Sequence, residues 1–231
     1  MKKKYEILKN ETCELNGDTL YRIIAIRSFG EVKKGTIGGF IASEKNLSQK
    51  GTCWVHDDAK VANKGKVFEN AQIYNGVKVI NNGKVYGNAK IRNGVLIDNN
   101  VRVYGNADIT GLSLITHNVR IYGNAKIVNT LLYNETRVFD NAYLNGYRVH
   151  IGGKSKIYGD AKVTGETEIK NSNIYGDSEI HNVGFIKESN IFGNTKLIDL
   201  MDERIRYMNI NNNKIQKRNK KGKIIIYNPY F

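Results

Sequence analysis

Four histidines, His56, His117, His150 and His181, are the side chains of this 231-residue chain best suited to take up and return a proton near neutral pH. His56 and His181 fall at the outward ends of short strands and His117 at a corner between strands. Only His150 stands in an irregular stretch, Asn145-Gly-Tyr-Arg-Val-His-Ile-Gly-Gly-Lys154. If one of them is a general base for an acceptor hydroxyl or amine, the choice is His150, although no carboxylate adjoins it in sequence to orient the ring. Gly152-Gly-Lys-Ser155 resembles the end of a phosphate loop, but the first glycine of that motif would fall at position 148, which is Arg. Cys13 and Cys53 have neither a CxxC spacing nor a nearby histidine pair. They predict buried, reduced thiols and no metal site.

Thirty-six Lys and Arg against 22 Asp and Glu give a net charge of +14, which favours acidic partners. The amino terminus MKKKYEILKN has no apolar segment after its lysines, and no long apolar run follows, so neither a signal peptide nor a membrane span is expected and the cytoplasm is the expected location.

The elements that would carry these residues follow from a period of six. From Val55 to Ile127 every sixth residue is Val or Ile, although these two types make up less than a fifth of the chain. Two positions before them stand small or branched residues such as Gly83, Ala89, Val95 and Ala107. Pairs rich in Gly and Asn separate the pieces, the types that tolerate the left-handed backbone of tight corners. Strand alternation then sends two side chains of each four-residue piece inward and two outward. Three pieces and three corners make 18 residues, the interval at which VYGNAK (85–90), VYGNAD (103–108) and IYGNAK (121–126) return. This is an all-β parallel helix of triangular coils stacked about 4.8 Å apart.

After Ile127 the spacing drops to five at Tyr133–Val138, Ile169–Ile174 and Ile186–Ile191, which predicts single-residue corners at Glu135, Asn171 and Glu188. One lengthening, Leu144 to Ile157, predicts a bulge beside His150. The period predicts a β cap over 1–34, about eight coils over 35–200, and a basic hairpin or cap over 201–231, in which Asn219-Lys-Lys221 turns between Asn213–Arg218 and Gly222–Tyr227.

The chain resembles the hexapeptide-repeat, left-handed parallel β-helix proteins. Gly35-Thr-Ile-Gly-Gly-Phe-Ile41 followed by Asn46-Leu-Ser-Gln-Lys-Gly-Thr-Cys-Trp54 is similar to the opening segment of the YdcK-like branch, bacterial and phage proteins labelled transferases. The resemblance implies a left-handed helix, trimers in many members, and acyl transfer from acyl-coenzyme A with a histidine base, here His150. It implies no other cofactor.

On the coil side that bears VYGNAK, outward positions carry Lys66 with Phe68, Lys84 with Tyr86, Arg102 with Tyr104, Arg120 with Tyr122, Arg137 with Phe139 and Lys156 with Tyr158, before Asn173 with Tyr175 and Asn190 with Phe192. Stacked rings flanked by Lys and Arg stems would stabilise a ladder by themselves. Six like charges in a row repel, however, and a bound polyanion or an acidic partner would relieve them. Cations beside aromatic faces also suit nucleotides and single-stranded nucleic acid. A second side exposes Lys60, Lys78, Leu96, Leu114, Leu132, Arg148, Glu168 and Phe185, and its three leucines predict a homo-oligomer interface, a trimer foremost. The third, mixed side suits solvent. The leading expectation is a non-catalytic oligomeric scaffold for an anionic nucleotide, nucleic acid or acidic polymer. The alternatives are the His150 acyltransferase and a purely structural protein.

Overall fold

The computed structural model describes residues 2–212, and the backbone alone of 214–218 and 224–227. It contains no helix, and its strands fall into two compact units, 1–118 and 119–231. Each unit is a stack of parallel coils, about ten turns in all where the period suggests eight.

In the first unit three columns of two- or three-residue strands pair in parallel at intervals of 18. One column runs through Lys66–Val67, Lys84–Val85 and Arg102–Val103. A second runs through Lys60–Val61, Lys78–Val79, Leu96–Ile97 and Leu114–Ile115, and a third through Trp54–Val55, Gln72–Ile73, Lys90–Ile91 and Asp108–Thr110. All thirteen Val and Ile of the six-residue column, in both units, are buried. Each contributes about 1.5–3 kcal/mol when fully buried, most of it offset by the entropy of ordering the chain. The corners climb with Asn side chains bonded to one another: Asn70 donates to Asn88 and Asn88 to Asn106, each at 3.1 Å. At Gly87 (φ 69°) an added Cβ would stand 2.7 Å from the amide nitrogen of Gly105, so the corner admits no side chain there.

The open end of the first unit is closed by β1 (Tyr5–Leu15) and β2 (Asp18–Ala25), an antiparallel hairpin turning at Asn16-Gly17, and by β3 (Ile37–Ile41), which pairs antiparallel with β2 and parallel with Lys60–Val61. Lys4 is fully buried there, and its Nζ donates to the carbonyl of Cys53 (2.9 Å) and to those of Lys50 and Gly51 (3.3 Å), groups with no further coil to bond. Burial lowers its pKa and raises that of the Cys53 thiol 3.2 Å away. Both cysteines are free, Cys53 buried and Cys13 half-buried.

The second unit keeps the plan with altered corners. Asn171 and Glu188 are single-residue corners in the left-handed region, as the spacing predicts. The third shortening lies elsewhere: Asn129 (φ 53°) is the single-residue corner, and Thr130 and Leu132 are the inward residues after it. Tyr133 therefore points outward and Glu135 belongs to an ordinary two-residue turn. The lengthening is a three-residue corner, Gly146–Arg148, between buried Leu144 and Val149. Parallel pairing continues past position 200, through Lys196–Arg206 and Met208–Asn211. Strands Lys214–Arg218 and Ile224–Tyr227 follow, antiparallel, while the turn expected at Asn219-Lys220-Lys221 lies outside the described residues. Among the described residues no helix is long and apolar enough to cross a membrane.

Candidate functional site

The basic and aromatic side forms because alternation leaves one outward residue on each flank of the buried Val or Ile. In the first unit Lys66, Lys84 and Arg102 are neighbours in register, and beside them Phe68, Tyr86 and Tyr104 stack with centroids 4.7 and 4.9 Å apart and planes within 8°. In the second unit Arg120, Arg137 and Lys156 follow one another, and the rings of Tyr122, Phe139, Tyr158, Tyr175 and Phe192 stack at 4.8–5.0 Å. Burial raises the pKa of the Tyr158 phenol, which keeps the column neutral there. Asn173 and Asn190 replace the cations and form an amide ladder, Asn173 to Asn190 and Asn190 to Asn209, each 2.8 Å.

The stacking uses up the ring faces. Neighbouring rings below about 5 Å leave no room for a further ring between them. The aromatic part of the stripe therefore serves the ladder, and only an end ring has a face left over. The cations are different. Among the described residues none of Lys66, Lys84, Arg102, Arg120, Arg137 and Lys156 makes an ion pair, whereas the other sides are mixed: Arg92 pairs with Asp108 (2.6 Å), Arg148 with Glu166 (2.7 Å) and Lys162 with Glu179 (3.5 Å), while Lys60, Lys78, Lys90 and Lys126 pair with no carboxylate there.

The expected leucine patch is not assembled. Leu96 packs against the buried cluster of Leu20, Ala62 and Ile80, as do Cys13 and Leu15 of the amino-terminal hairpin, and is half-buried. Leu114 is 40% exposed, with Leu112 at the neighbouring corner 71% exposed. Leu132 is fully buried, because the short corner at Asn129 shifts the alternation by one and turns Leu131 outward instead. By the same logic the three-residue corner removes Arg148 from the expected face and puts His150 there.

His150 stands on a rung between Leu131 and Glu168, with the Tyr133 ring lying over Gly152 close by. The fold thus supplies the neighbouring carboxylate that is absent from the local sequence, but Glu168 is engaged by Lys170 at 2.5 Å. His150 has no hydrogen-bond partner among the described residues. His56 stacks on Tyr74 (4.0 Å), its Nε2 lies 2.8 Å from Gln72 Oε1, and burial lowers its pKa. His117 is tied to Thr116 at a corner.

His181 lies 2.8 Å from the hydroxyl of Thr164, a pairing that suggests an activated nucleophile. Its tautomer excludes that. Asn182 accepts from the Glu166 amide and donates to Asp199, so its NH2 also donates to His181 Nε2 (3.0 Å). Nδ1 then carries the proton and donates to Thr164, and cannot remove one from it. Among the described residues no three of His, Cys, Asp and Glu converge to hold a metal ion.

Parallel coils, inward Val and Ile at every sixth residue and Gly/Asn corners make this a parallel β-helix built on a six-residue repeat. Over 48 residues, 21% of its length, the chain is 46% identical to a protein of Escherichia coli (strain K12) named "Uncharacterized acetyltransferase YdcK". That match covers 15% of the relative, far below two thirds of its length. No protein-family model matches the chain.

Proposed function

We propose that the protein is a non-catalytic, self-associating β-helix scaffold that holds an anionic ligand along its basic columns. The observation that carries this is an unbroken run of like charge: Lys66, Lys84 and Arg102 stand in register in the first unit and Arg120, Arg137 and Lys156 in the second, and none of the six makes an ion pair among the described residues. Like charges one rung apart repel, and a bound polyanion removes that repulsion while releasing its counterions. A labelled single-stranded oligonucleotide should bind with an affinity that falls steeply with salt, and Arg102→Glu with Arg120→Glu should abolish it. Unchanged binding in that double variant would overturn the reading. Self-association falls to Leu112 and Leu114, and Leu114→Asp should lower the mass seen in light scattering; an unchanged mass would exclude them.

A second reading, acyl transfer, draws on the relative's printed name and on the arrival of Glu168 beside His150. It ranks second because Glu168 is held by Lys170 and no group orients His150. Acetyl-coenzyme A turnover lost in His150→Ala would raise it; turnover that survives would remove His150 from the reaction.

A further inference from the structure

We infer that the first rung of the basic column in the amino-terminal unit is a seat for a nucleoside phosphate, its phosphates held by Lys45, Lys66 and Lys84 and its base stacked on Phe68. The inference rests on the anion-binding reading above and narrows it to one place and one chemical class.

The aromatic ladder begins at Phe68. One face of that ring lies on Tyr86 at 4.7 Å. On the preceding rung Leu47 pairs with Val67 and the Ser48 amide donates to the Val67 carbonyl, which sets Ser48 opposite Phe68. Serine is too small to cover a ring, and among the described residues no aromatic side chain lies on that face. Every other ring of this unit's column has its neighbour on that side, Phe68 beneath Tyr86 and Tyr86 beneath Tyr104. A planar base placed over Ser48 would continue the ladder by one step.

The same position is where ammonium groups gather. A shallow hollow of about 340 Å³ is lined by Lys45, Ser48, Lys66, Val67, Phe68 and Lys84. An adjoining hollow shares its three lysines and adds Lys64. None of these four makes an ion pair among the described residues, and the acids next to Lys45 and Phe68 in sequence are engaged. Glu44 takes Lys3 at 2.7 Å, and Glu69 accepts the Gly87 amide at 2.8 Å. An open aromatic face beside three unpaired ammonium groups matches a molecule with one base and a short phosphate chain. A strand of nucleic acid could meet the cations through its phosphates but could not stack successive bases on the closed ladder.

Titration calorimetry of the full chain with ADP, pyrophosphate and adenosine tests the seat. ADP should bind about tenfold or more tighter than pyrophosphate, from the stacking of one base, and adenosine should give no measurable heat. Ser48→Tyr, which fills the seat while extending the ladder, should bring ADP down to the affinity of pyrophosphate and leave pyrophosphate unchanged. Lys45→Gln with Lys84→Gln should weaken both. Coenzyme A presents the same adenosine diphosphate, and tighter binding than ADP would identify an acyl carrier as the source of the group. ADP no tighter than pyrophosphate, or indifferent to Ser48→Tyr, overturns the seat while the basic-column reading still stands on the Arg102 and Arg120 variant. If neither the anions nor the oligonucleotide binds, both readings fall.

Discussion

The two units solve one packing problem in two ways. In the first, the small inward position is filled mostly by Gly, Ala or Val, as at Gly65, Ala71, Val77 and Ala89, with Cys53 and Ser113 as exceptions, and the described corners from residue 57 onward are two-residue turns. In the second the same position is often a hydroxyl: Thr136, Ser155, Thr167, Ser172, Ser178, Ser189 and Thr195 are all buried. Thr136, Ser178 and Thr195 follow two-residue turns and donate to the carbonyls of Tyr133, Tyr175 and Phe192, whereas other hydroxyls lie one coil before a shortened corner. Ser155 Oγ accepts from the Ser172 amide (3.2 Å), Ser172 Oγ from the Ser189 amide (3.1 Å) and Ser189 Oγ from the Met208 amide (3.2 Å). A corner that loses a residue displaces an amide from its carbonyl, and a buried hydroxyl stands in as acceptor. Two-residue corners need no such repair, and there the small inward residue is either apolar or a hydroxyl bonded to a carbonyl three residues earlier.

The largest effect that would sharpen this contrast is at a tight corner of the first unit. Gly87→Val should cost about 2–5 kcal/mol in thermal or denaturant melting, through a left-handed backbone and a collision with the next rung. The equivalent change at Gly176, where the next coil stands at 3.0 Å rather than 2.7 Å, should cost less. Equal losses would mean that the corners of the two units are packed alike. Next, Ser172→Ala should cost about 1–3 kcal/mol by stranding the Ser189 amide, against about 0.5–1.5 kcal/mol for Ser178→Ala, whose hydroxyl donates to the Tyr175 carbonyl. The reverse order would break the repair argument.

A smaller effect should be visible in pH. Burial depresses the pKa of folded His56 below the ordinary histidine value of 6.5, so the unfolded chain binds more protons as the pH falls. His56 leaves stability untouched above that value, subtracts from it as the pH drops through 6.5, and stops doing so below its folded pKa. Melting temperatures of His56→Gln should show less acid loss than the parent over that window. Smallest of all, Arg102→Gln should raise stability by a few tenths of a kcal/mol at low salt and by nothing at high salt, since it relieves a screened repulsion. In the second unit Asn173→Lys should do the opposite, by adding a charge beside Lys156 and cutting the Asn190 ladder.

Much of the architecture was legible from spacing, since a period of six with Val or Ile at one phase leaves little choice of inward face. The candidate site was legible only where that phase held. Up to Ile127 each outward residue can be read from its number, and Lys66, Phe68, Lys84, Tyr86, Arg102 and Tyr104 lie where the period puts them. Beyond it a one-residue corner at Asn129 and a three-residue corner at Gly146–Arg148 exchange the faces of Leu131 and Leu132 and bring His150 to the position counted for Arg148. Nothing in the local letters distinguishes a corner at Asn129 from one at Glu135, because either keeps an apolar residue near the inward phase.

The sequence by itself therefore determined the strand period, the inward column and the order of charges and rings along one side, because alternation is a local property of the backbone. Tertiary structure alone decided which hydroxyl rescues which amide, that ring faces are spent on one another, and that Phe68 keeps one face open beside Lys45. Those facts depend on what the next coil brings about 18 residues later, and on the hairpin that ends the stack. Contacts between coils are set by register, and register is a property of the stack and not of any single repeat.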